Sequence, residues 1–284
     1  MTARPSIRPA TAADLEGIAR VLAANGEALE QPGVVGYPYL EFLLDRGRVE
    51  VADAGGLVVG FGSVIRVGDA AMVTDLFVDP GHHGHGIGTA LLSVTLGDAH
   101  PRMTFSSADP RALPAYARAG MQPSWPSLYI RVDEAALPRL AADPALVADA
   151  ATVDETAEAS RALTGIDRRA DFALYAAQPD PAGFVIRDGG AVAGVVWAHR
   201  DDEGHGRALA HASIAGDADA ARVAVAAFRA AAHGGSVWGC VPGPHPALAP
   251  LLEAGARIVD RDTYCTSDPG WLDPERILPN PGLL

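Results

Sequence analysis

The sequence predicts an α+β protein of two successive domains, each a mixed, mostly antiparallel sheet flanked by helices. Three observations predict this class. The chain has 284 residues, which suits two domains of ordinary size. Segments with strand patterns alternate with segments of helical periodicity. A hairpin with paired glycines at its turn occurs twice, near Gly55 and near Gly189, with similar elements around it.

The first half opens with a short strand around residues 6–8. Thr11 then caps a helix, and apolar residues recur along that helix at the spacing of one buried face. A second helix is predicted over Tyr39–Arg46, followed by the first hairpin. The remaining predicted elements are a strand over Met72–Val78, a helix over Gly88–Leu96, the strand "RMTFSSAD", the helix "PRALPAYARAG" and the strand "SLYIRV".

The second half repeats this order. Thr152 and Glu155 have capping-box spacing, the second glycine-turn hairpin follows, and "ALAPLLEAGARIV" parallels "ALPAYARAGMQPS". Prolines interrupt a polar, Ala-rich connector between the two halves. We therefore predict a first domain over residues 1–133, a linker over 134–145 and a second domain over 146–284. The proline-rich end of the chain is expected to pack as irregular structure.

Composition excludes several classes of protein. A net charge of −13 argues against a nucleic-acid partner, because phosphates need basic surfaces. No apolar run is long enough to cross a bilayer, and the first residues lack the apolar core of a signal peptide. Two cysteines, without metal-ligand spacing, suit a reducing compartment. We expect a cytoplasmic protein.

The segment "VTDLFVDPGHHGHGIGTALL", residues 73–92, carries the clearest chemical signal. Three alternate glycines, Gly84, Gly86 and Gly88, stand between a strand and a helix. Glycines let a ligand approach the backbone, and the amides at a helix start bind anions, so the loop predicts a phosphate site. A Walker loop would need a Lys after the last glycine, and the dinucleotide fingerprint would need a later third glycine. Three loop histidines without acidic or cysteine partners argue against a metal.

The same segment resembles motif A of the GNAT superfamily of N-acetyltransferases. That motif has Arg or Gln, two residues, Gly, one residue, then Gly or Ala, and His83, Gly86 and Gly88 occupy these positions. "DPRALPAYARAGM" resembles the family's next motif, with Asp109 at an Asn position and Tyr116 at a Tyr position. The likeness covers residues 7–132, and the whole chain resembles actinobacterial tandem GNAT proteins with a degenerate second repeat.

The resemblance implies acetyl-coenzyme A, or another acyl-coenzyme A, as co-substrate. Its diphosphate would bind the loop amides, with His83 and His85 able to donate hydrogen bonds. Its pantetheine arm would pair with the strand that ends at residues 76–78, where a bulge near Phe77 would present an amide to the thioester carbonyl. The implied cofactor-binding residues are Leu76, Phe77, Val78, His83, Gly84, His85, Gly86, Ile87, Gly88, Thr89 and Asp109; no metal is expected.

Two catalytic candidates follow from the resemblance and the reaction. Tyr116 matches the family's general acid, which protonates the leaving thiolate. Asp75 could hold or deprotonate the amine, although a structural carboxylate explains it equally well. Tyr37 and Tyr39 could line the acceptor pocket or simply pack.

The second half has one glycine, Gly216, at the loop position and Leu251 at the tyrosine position. We therefore expect it to bind no coenzyme A and to support the first half, cover the acceptor pocket or form a homodimer. The predicted function is direct acetyl transfer from acetyl-coenzyme A to a small amine, in the first half. The alternative is a non-catalytic acyl-coenzyme A sensor or a scaffold.

Overall fold

The structure, a computed structural model, describes residues 5–27, 37–201 and 206–284. The chain folds into two compact units. Unit 1 contains Met1–Pro123 and Cys265–Asp268, and unit 2 contains Ser124–Tyr264 and Pro269–Leu284. The boundary between the units lies before residue 133, the predicted end of the first domain, because β6 (Gln122–Val132) packs with unit 2 from Ser124 onward. The domain limits drawn from the sequence stay a prediction.

Unit 1 is a mixed sheet with helices against it. Its strands are β1 (Ser6–Pro9), β2 (Gly47–Asp53), β3 (Val58–Val67), β4 (Ala70–Val78) and β5 (Arg102–Ser106). Its helices are α1 (Leu15–Ala24), α2 (Pro38–Arg46), α3 (Ile87–Leu96) and α4 (Ala112–Arg118), with 3₁₀ turns at Ala12–Asp14 and Pro80–His82. The sheet order is β1-β2-β3-β4-β5, and only the β4–β5 pair is parallel.

The core of unit 1 forms where α3 and α4 cover the sheet. Ile87 and Leu91 of α3 pack against Ala52 and Val59 of the hairpin. Farther along α3, Leu92 and Leu96 belong to a second cluster that also contains β4, α4 and Cys265. The buried face of α3 therefore fixes the helix against β4, and the loop between them is held at both ends.

Unit 2 has a longer sheet. Its strands are β6 (Gln122–Val132, from Ser124 onward), β7 (Leu146–Ala151), β8 (Ala182–Asp188), β9 (Ala191–Arg200), β10 (Arg207–Ile214), β11 (Val237–Pro242), β12 (Arg257–Thr266, to Tyr264) and β13 (Ile277–Leu278). Its helices are α5 (Val153–Thr164), α6 (Arg169–Ala176), α7 (Ala220–Ala232) and α8 (Leu248–Glu253), with a 3₁₀ turn at Leu137–Arg139. The order is β12-β6-β11-β10-β9-β8-β7, and β13 pairs with β10.

The predicted fold class is confirmed, and so are both hairpins. Gly55 and Gly56 turn β2 into β3, and Gly189 and Gly190 turn β8 into β9; all four have positive φ, which favours glycine. The Thr152–Glu155 capping box at the start of α5 is present. The end of the chain differs from the prediction of irregular structure, because Ile277–Leu278 forms a strand. In the described ranges, no helix is long and apolar enough to cross a membrane.

Asp14 holds the start of unit 1 together. Its carboxylate accepts hydrogen bonds from the Arg8 guanidinium at 2.7 and 2.9 Å and from the Thr11 amide and hydroxyl at 2.8 and 2.9 Å. The bonds from Arg8 hold the pKa of this carboxyl well below its usual range. The strand–turn–helix connection therefore depends on an ionised Asp14.

We expect Asp14→Asn to lower the free energy of unfolding by about 1–2 kcal/mol at pH 7, because charge-assisted bonds and a cap are lost. Since folding lowers the pKa of Asp14, its stabilisation is present above about pH 4 and is lost as the pH falls further. Chemical denaturation of both proteins at pH 7 and pH 3 measures this, with the exposed Asp45→Asn as control. Equal differences at the two pH values would contradict the assignment.

Candidate functional site

The site of unit 1 begins where β4 leaves β5. The two strands pair in parallel at only three positions, Ala71 with Arg102, Met72 with Met103 and Val73 with Thr104. Beyond Val73, β4 continues along β3 alone. Among the described residues no strand pairs with its other side there, as at the edge of a sheet, and the Val78 carbonyl oxygen accepts hydrogen bonds from the side chains of Asn25 and His83 instead.

A bulge in β4 lies at the same point. Val73 pairs with Val64 and Asp75 with Ser63, so Thr74 is the extra residue. The expectation of a bulge near Phe77 is wrong, because Phe77 pairs regularly with Phe61. The Ser63 hydroxyl explains the position: it lies 2.6 Å from the Thr74 hydroxyl and 2.7 Å from an Asp75 carboxylate oxygen, so one residue of β3 faces two of β4.

A cavity of about 500 Å³ opens between the diverging strands, a volume that suits a small-molecule site. It brings together nearly all the residues singled out in the sequence. These are Asp75, Leu76, Phe77, Val78, His83, Gly84, Gly86, Ile87, Gly88, Thr89, Asp109 and Tyr116. His85 does not line the cavity; it is exposed, with a ring nitrogen 3.3 Å from the His82 carbonyl oxygen.

The glycine loop forms one end of this cavity. Gly84 and Gly86 have φ of +80° and +74°, a left-handed backbone that residues with side chains rarely adopt. Helix α3 starts at Ile87, and the Ala90 amide donates to the Gly86 carbonyl oxygen at 3.1 Å. The amides of Ile87, Gly88 and Thr89 precede that bond, so helix geometry leaves them without partners inside the helix. The loop therefore offers amides to an anion.

His83 lies beside a cation that sequence reasoning missed. Its Nε2 is 2.7 Å from the Val78 carbonyl oxygen, so Nε2 carries the proton and Nδ1 can accept. The Arg111 guanidinium donates to this Nδ1 through Nη1 and to Asp109 through Nε and Nη2. Bonds from Arg111 lower the pKa of Asp109 to about 2. The sequence signal that could have indicated Arg111 is its place between two motif residues, Asp109 and Tyr116.

Asp75 stands directly after the bulge. It is 8% exposed, and both the Tyr39 hydroxyl, at 2.9 Å, and the Ser63 hydroxyl, at 2.7 Å, donate to its Oδ2. Burial raises the pKa of Asp75, while the hydroxyl bonds lower it. Tyr39 reaches it from α2, so this residue holds a carboxylate of the site. Neither Tyr37 nor Tyr39 is among the residues that line the cavity.

Tyr116 is the second catalytic candidate at this cavity. It lies in α4, is 7% exposed and packs with Leu92 and Met121 while lining the cavity. The cavity is thus lined by a phenol, by a carboxylate and by the glycine loop with the first turn of α3. Among the described residues, no group of three His, Cys, Asp or Glu side chains could hold a metal ion.

Comparisons with known proteins agree with this geometry. Residues 45–122, which contain the hairpin, the loop and α4, match the family model described as acetyltransferase (GNAT) domain. None of the curated proteins matches the sequence.

Solved structures cover almost the whole chain. A tandem GNAT protein from the clavulanic acid biosynthesis pathway is 18% identical with a TM-score of 0.62, over 94% of this chain and 99% of that one. A protein of Pyrococcus horikoshii with an acetyltransferase description is 15% identical (TM-score 0.65; 98% and 94%). A GCN5-related N-acetyltransferase from Anabaena variabilis is 14% identical (0.64; 93% and 72%). Residues 45–122 therefore match a GNAT acetyltransferase domain, and the fold of the chain is that of the tandem GNAT proteins.

Proposed function

We propose that the protein transfers an acyl group, acetyl in the first instance, from acyl-coenzyme A to a small amine by direct attack in unit 1. One observation carries the proposal. A single cavity joins the glycine loop to the two groups that acyl transfer requires, a buried carboxylate and a phenol. The similarity of the fold to a tandem GNAT protein and the match of residues 45–122 to the acetyltransferase (GNAT) domain support the proposal.

The residues at the loop fit a coenzyme A diphosphate. No atom lies within 4 Å of the place that a Cβ would take at Gly84 or Gly86, so the space beside both residues is open. The positive φ of both residues disfavours any residue with a side chain there. The loop is therefore open to a ligand, and the amides from Gly84 to Thr89 would hold the diphosphate. The bound acyl-coenzyme A would supply an activated thioester for attack.

Arg111 adds the positive charge that loop amides lack. A guanidinium has five N–H groups, and the contacts to Asp109 and His83 engage three of them. The other two remain for a phosphate oxygen, on a side chain that is 60% exposed at the cavity wall. His83 and Asp109 would then position Arg111, and His83 would act through it rather than on the phosphate directly.

Asp75 is the proposed acceptor for the amine proton. The Tyr39 and Ser63 hydroxyls donate to Oδ2, and the Thr74 side chain also interacts with the carboxylate, which would take the proton of the incoming amine. A carboxyl whose pKa is raised by burial is a stronger base than an exposed one, so the environment suits proton removal. Ser63 and Tyr39 orient the carboxylate and act as positioning residues.

Tyr116 is the proposed proton donor at the other end of the reaction. The cysteamine thiolate leaves as the amide forms, and the Tyr116 hydroxyl would deliver its proton to the sulfur. The α4 core packing fixes the ring, so that the hydroxyl is positioned before the substrate arrives. In this division of roles Asp75 would act as the base and Tyr116 as the acid, and both residues line the same cavity.

The activity is tested by measuring coenzyme A release from acetyl-coenzyme A with a panel of small amines. We expect turnover with at least one amine, and Tyr116→Phe should lower kcat about a hundredfold or more while the Kd for acetyl-coenzyme A stays unchanged. Tyr129→Phe, which changes a half-buried tyrosine of unit 2, is the control. Full activity of the Tyr116 variant would remove the acid assignment, and binding without any turnover would favour a sensor.

The pH dependence tests Asp75. Because the base must be ionised, kcat/KM should fall as the pH drops through a pKa above the ordinary aspartate value of about 3.9. Ser63→Ala removes a bond that lowers this pKa, so the acidic limb should move to higher pH. Asp75→Asn should lose the acidic limb of the pH profile and most of kcat/KM. An unmoved limb in Ser63→Ala, compared with the exposed Ser93→Ala, contradicts the role.

Arg111 is tested by binding. Charged hydrogen bonds contribute about 1.5–3 kcal/mol, so Arg111→Ala should weaken coenzyme A binding about ten- to a hundredfold. The Kd of S-acetylpantetheine, which lacks the diphosphate, should not change. Arg66→Ala, an exposed arginine of β3, serves as control. An equal loss for both ligands would show that Arg111 supports the fold rather than the phosphate.

A further inference from the structure

Unit 2 repeats the strand geometry that opens the cavity of unit 1. Strands β10 and β11 pair in parallel at three positions, Arg207 with Val237, Ala208 with Trp238 and Leu209 with Gly239. On the β9 side the register shifts directly afterwards, from Leu209 to His211. Strand β4 shows the same arrangement in unit 1: three parallel pairs with β5, followed by a bulge on the side of the antiparallel neighbour. His211 therefore holds in unit 2 the position that Asp75 holds in unit 1.

The cleft beyond these pairs is filled by residues 276–284, which we name the tail. Its strand β13 runs antiparallel to β10 and pairs Leu278 with Ala212 and Ile277 with Ser213. The Ile214 amide donates to the Arg276 carbonyl oxygen at 2.9 Å. The tail thus satisfies the β10 backbone where β11 has left it, at the point where β4 of unit 1 faces open cavity.

The tail also covers the loop that follows β10. Arg276 donates from Nη1 to the carbonyl oxygens of Ala215, at 3.0 Å, and Ala218, at 2.7 Å. This loop leads into α7 and corresponds to the glycine loop of unit 1. Here carbonyl oxygens face a guanidinium, whereas in unit 1 amides face an open cavity. A loop arranged in this way does not attract an anion.

The inner end of the tail closes over buried polar side chains. Asn280 lies near the Tyr175 hydroxyl and the main chain of Leu284 near the His211 ring, and among the described residues neither that hydroxyl nor His211 Nδ1 has a hydrogen-bond partner. Burial lowers the pKa of His211 well below its usual value, so the imidazole is uncharged, and Nε2 lies 2.8 Å from the Ser213 hydroxyl. Leu278 and Leu284 are fully buried. The tail is therefore part of the interior of unit 2.

We propose that the tail is the permanent occupant of the cleft of unit 2, in the place where unit 1 leaves room for a ligand. The cleft then has no acyl-coenzyme A site, and the chain binds one such molecule. Three separate sets of contacts hold the tail: a strand pair, the Arg276 bonds and apolar burial. If the tail were instead a lid over a second ligand site, acetyl-coenzyme A would displace it and release the protection of the Ile214 amide in the test below.

Hydrogen exchange of the full chain tests the proposal. The Ile214 amide depends on the tail for its partner, whereas the amides of β8 pair with β7 and β9. In the wild type we expect Ile214 to be as protected as β8, with or without acetyl-coenzyme A at saturation. Leu278→Asp should speed exchange at Ile214 at least about tenfold. Leu252→Asp, on α8 and 38% exposed, should not.

A milder variant covers the case in which Leu278→Asp unfolds unit 2 and also exposes β8. Arg276→Gln loses the bonds to the loop, and it should speed exchange at Ile214 while β8 stays protected. Calorimetric titration of the wild type should give one acetyl-coenzyme A per chain. Unchanged Ile214 exchange in Arg276→Gln, release of Ile214 protection by acetyl-coenzyme A, or two bound molecules per chain would each overturn the proposal.

Discussion

A strand in a sheet can hydrogen-bond to two neighbours, and beyond Val73 strand β4 keeps only one of them. The bulge at Thr74 coincides with this separation and turns Asp75 toward Ser63 and the cavity. Because α3 packs on the hairpin and on β4, the glycine loop is held at the mouth of the same opening. The site and the fold of unit 1 thus depend on one interrupted strand pairing, that of β4 with β5. In unit 2 the corresponding pairing of β10 with β11 is also interrupted, and there β13 pairs with the exposed part of β10.

Local signals in the sequence were sufficient for much of this architecture. Paired glycines predicted both hairpins, the capping box predicted the start of α5, and alternate glycines between strand and helix predicted the loop. These features are decided within a few residues. The position of the bulge was missed because it depends on Ser63, which belongs to the opposite strand. Tyr39 and Arg111 were also beyond prediction as partners of Asp75 and His83, since tertiary packing alone brings them together.

The charge of the protein makes the loop chemistry more demanding. A chain with a net charge of −13 has to accept a polyanionic ligand if the proposed function holds. Main-chain amides carry no titratable group, so they attract phosphate at any pH. The guanidinium at Arg111 is likewise permanently charged, and Asp109 stays ionised beside it. His83, between the main chain and Arg111, orients this arrangement without having to carry charge itself.

Residues 265–268 return to unit 1 after more than a hundred residues spent in unit 2. Ser267 donates its amide to the Arg102 carbonyl and accepts the Arg102 amide through its hydroxyl, a contact across 165 positions of sequence. Cys265 fills the core next to Tyr116. On the ribosome, the N-terminal fold must therefore wait for a late segment before its interior closes. Closure over so long a loop is entropically slow, so the nascent chain carries an unfinished unit 1 core through most of its synthesis.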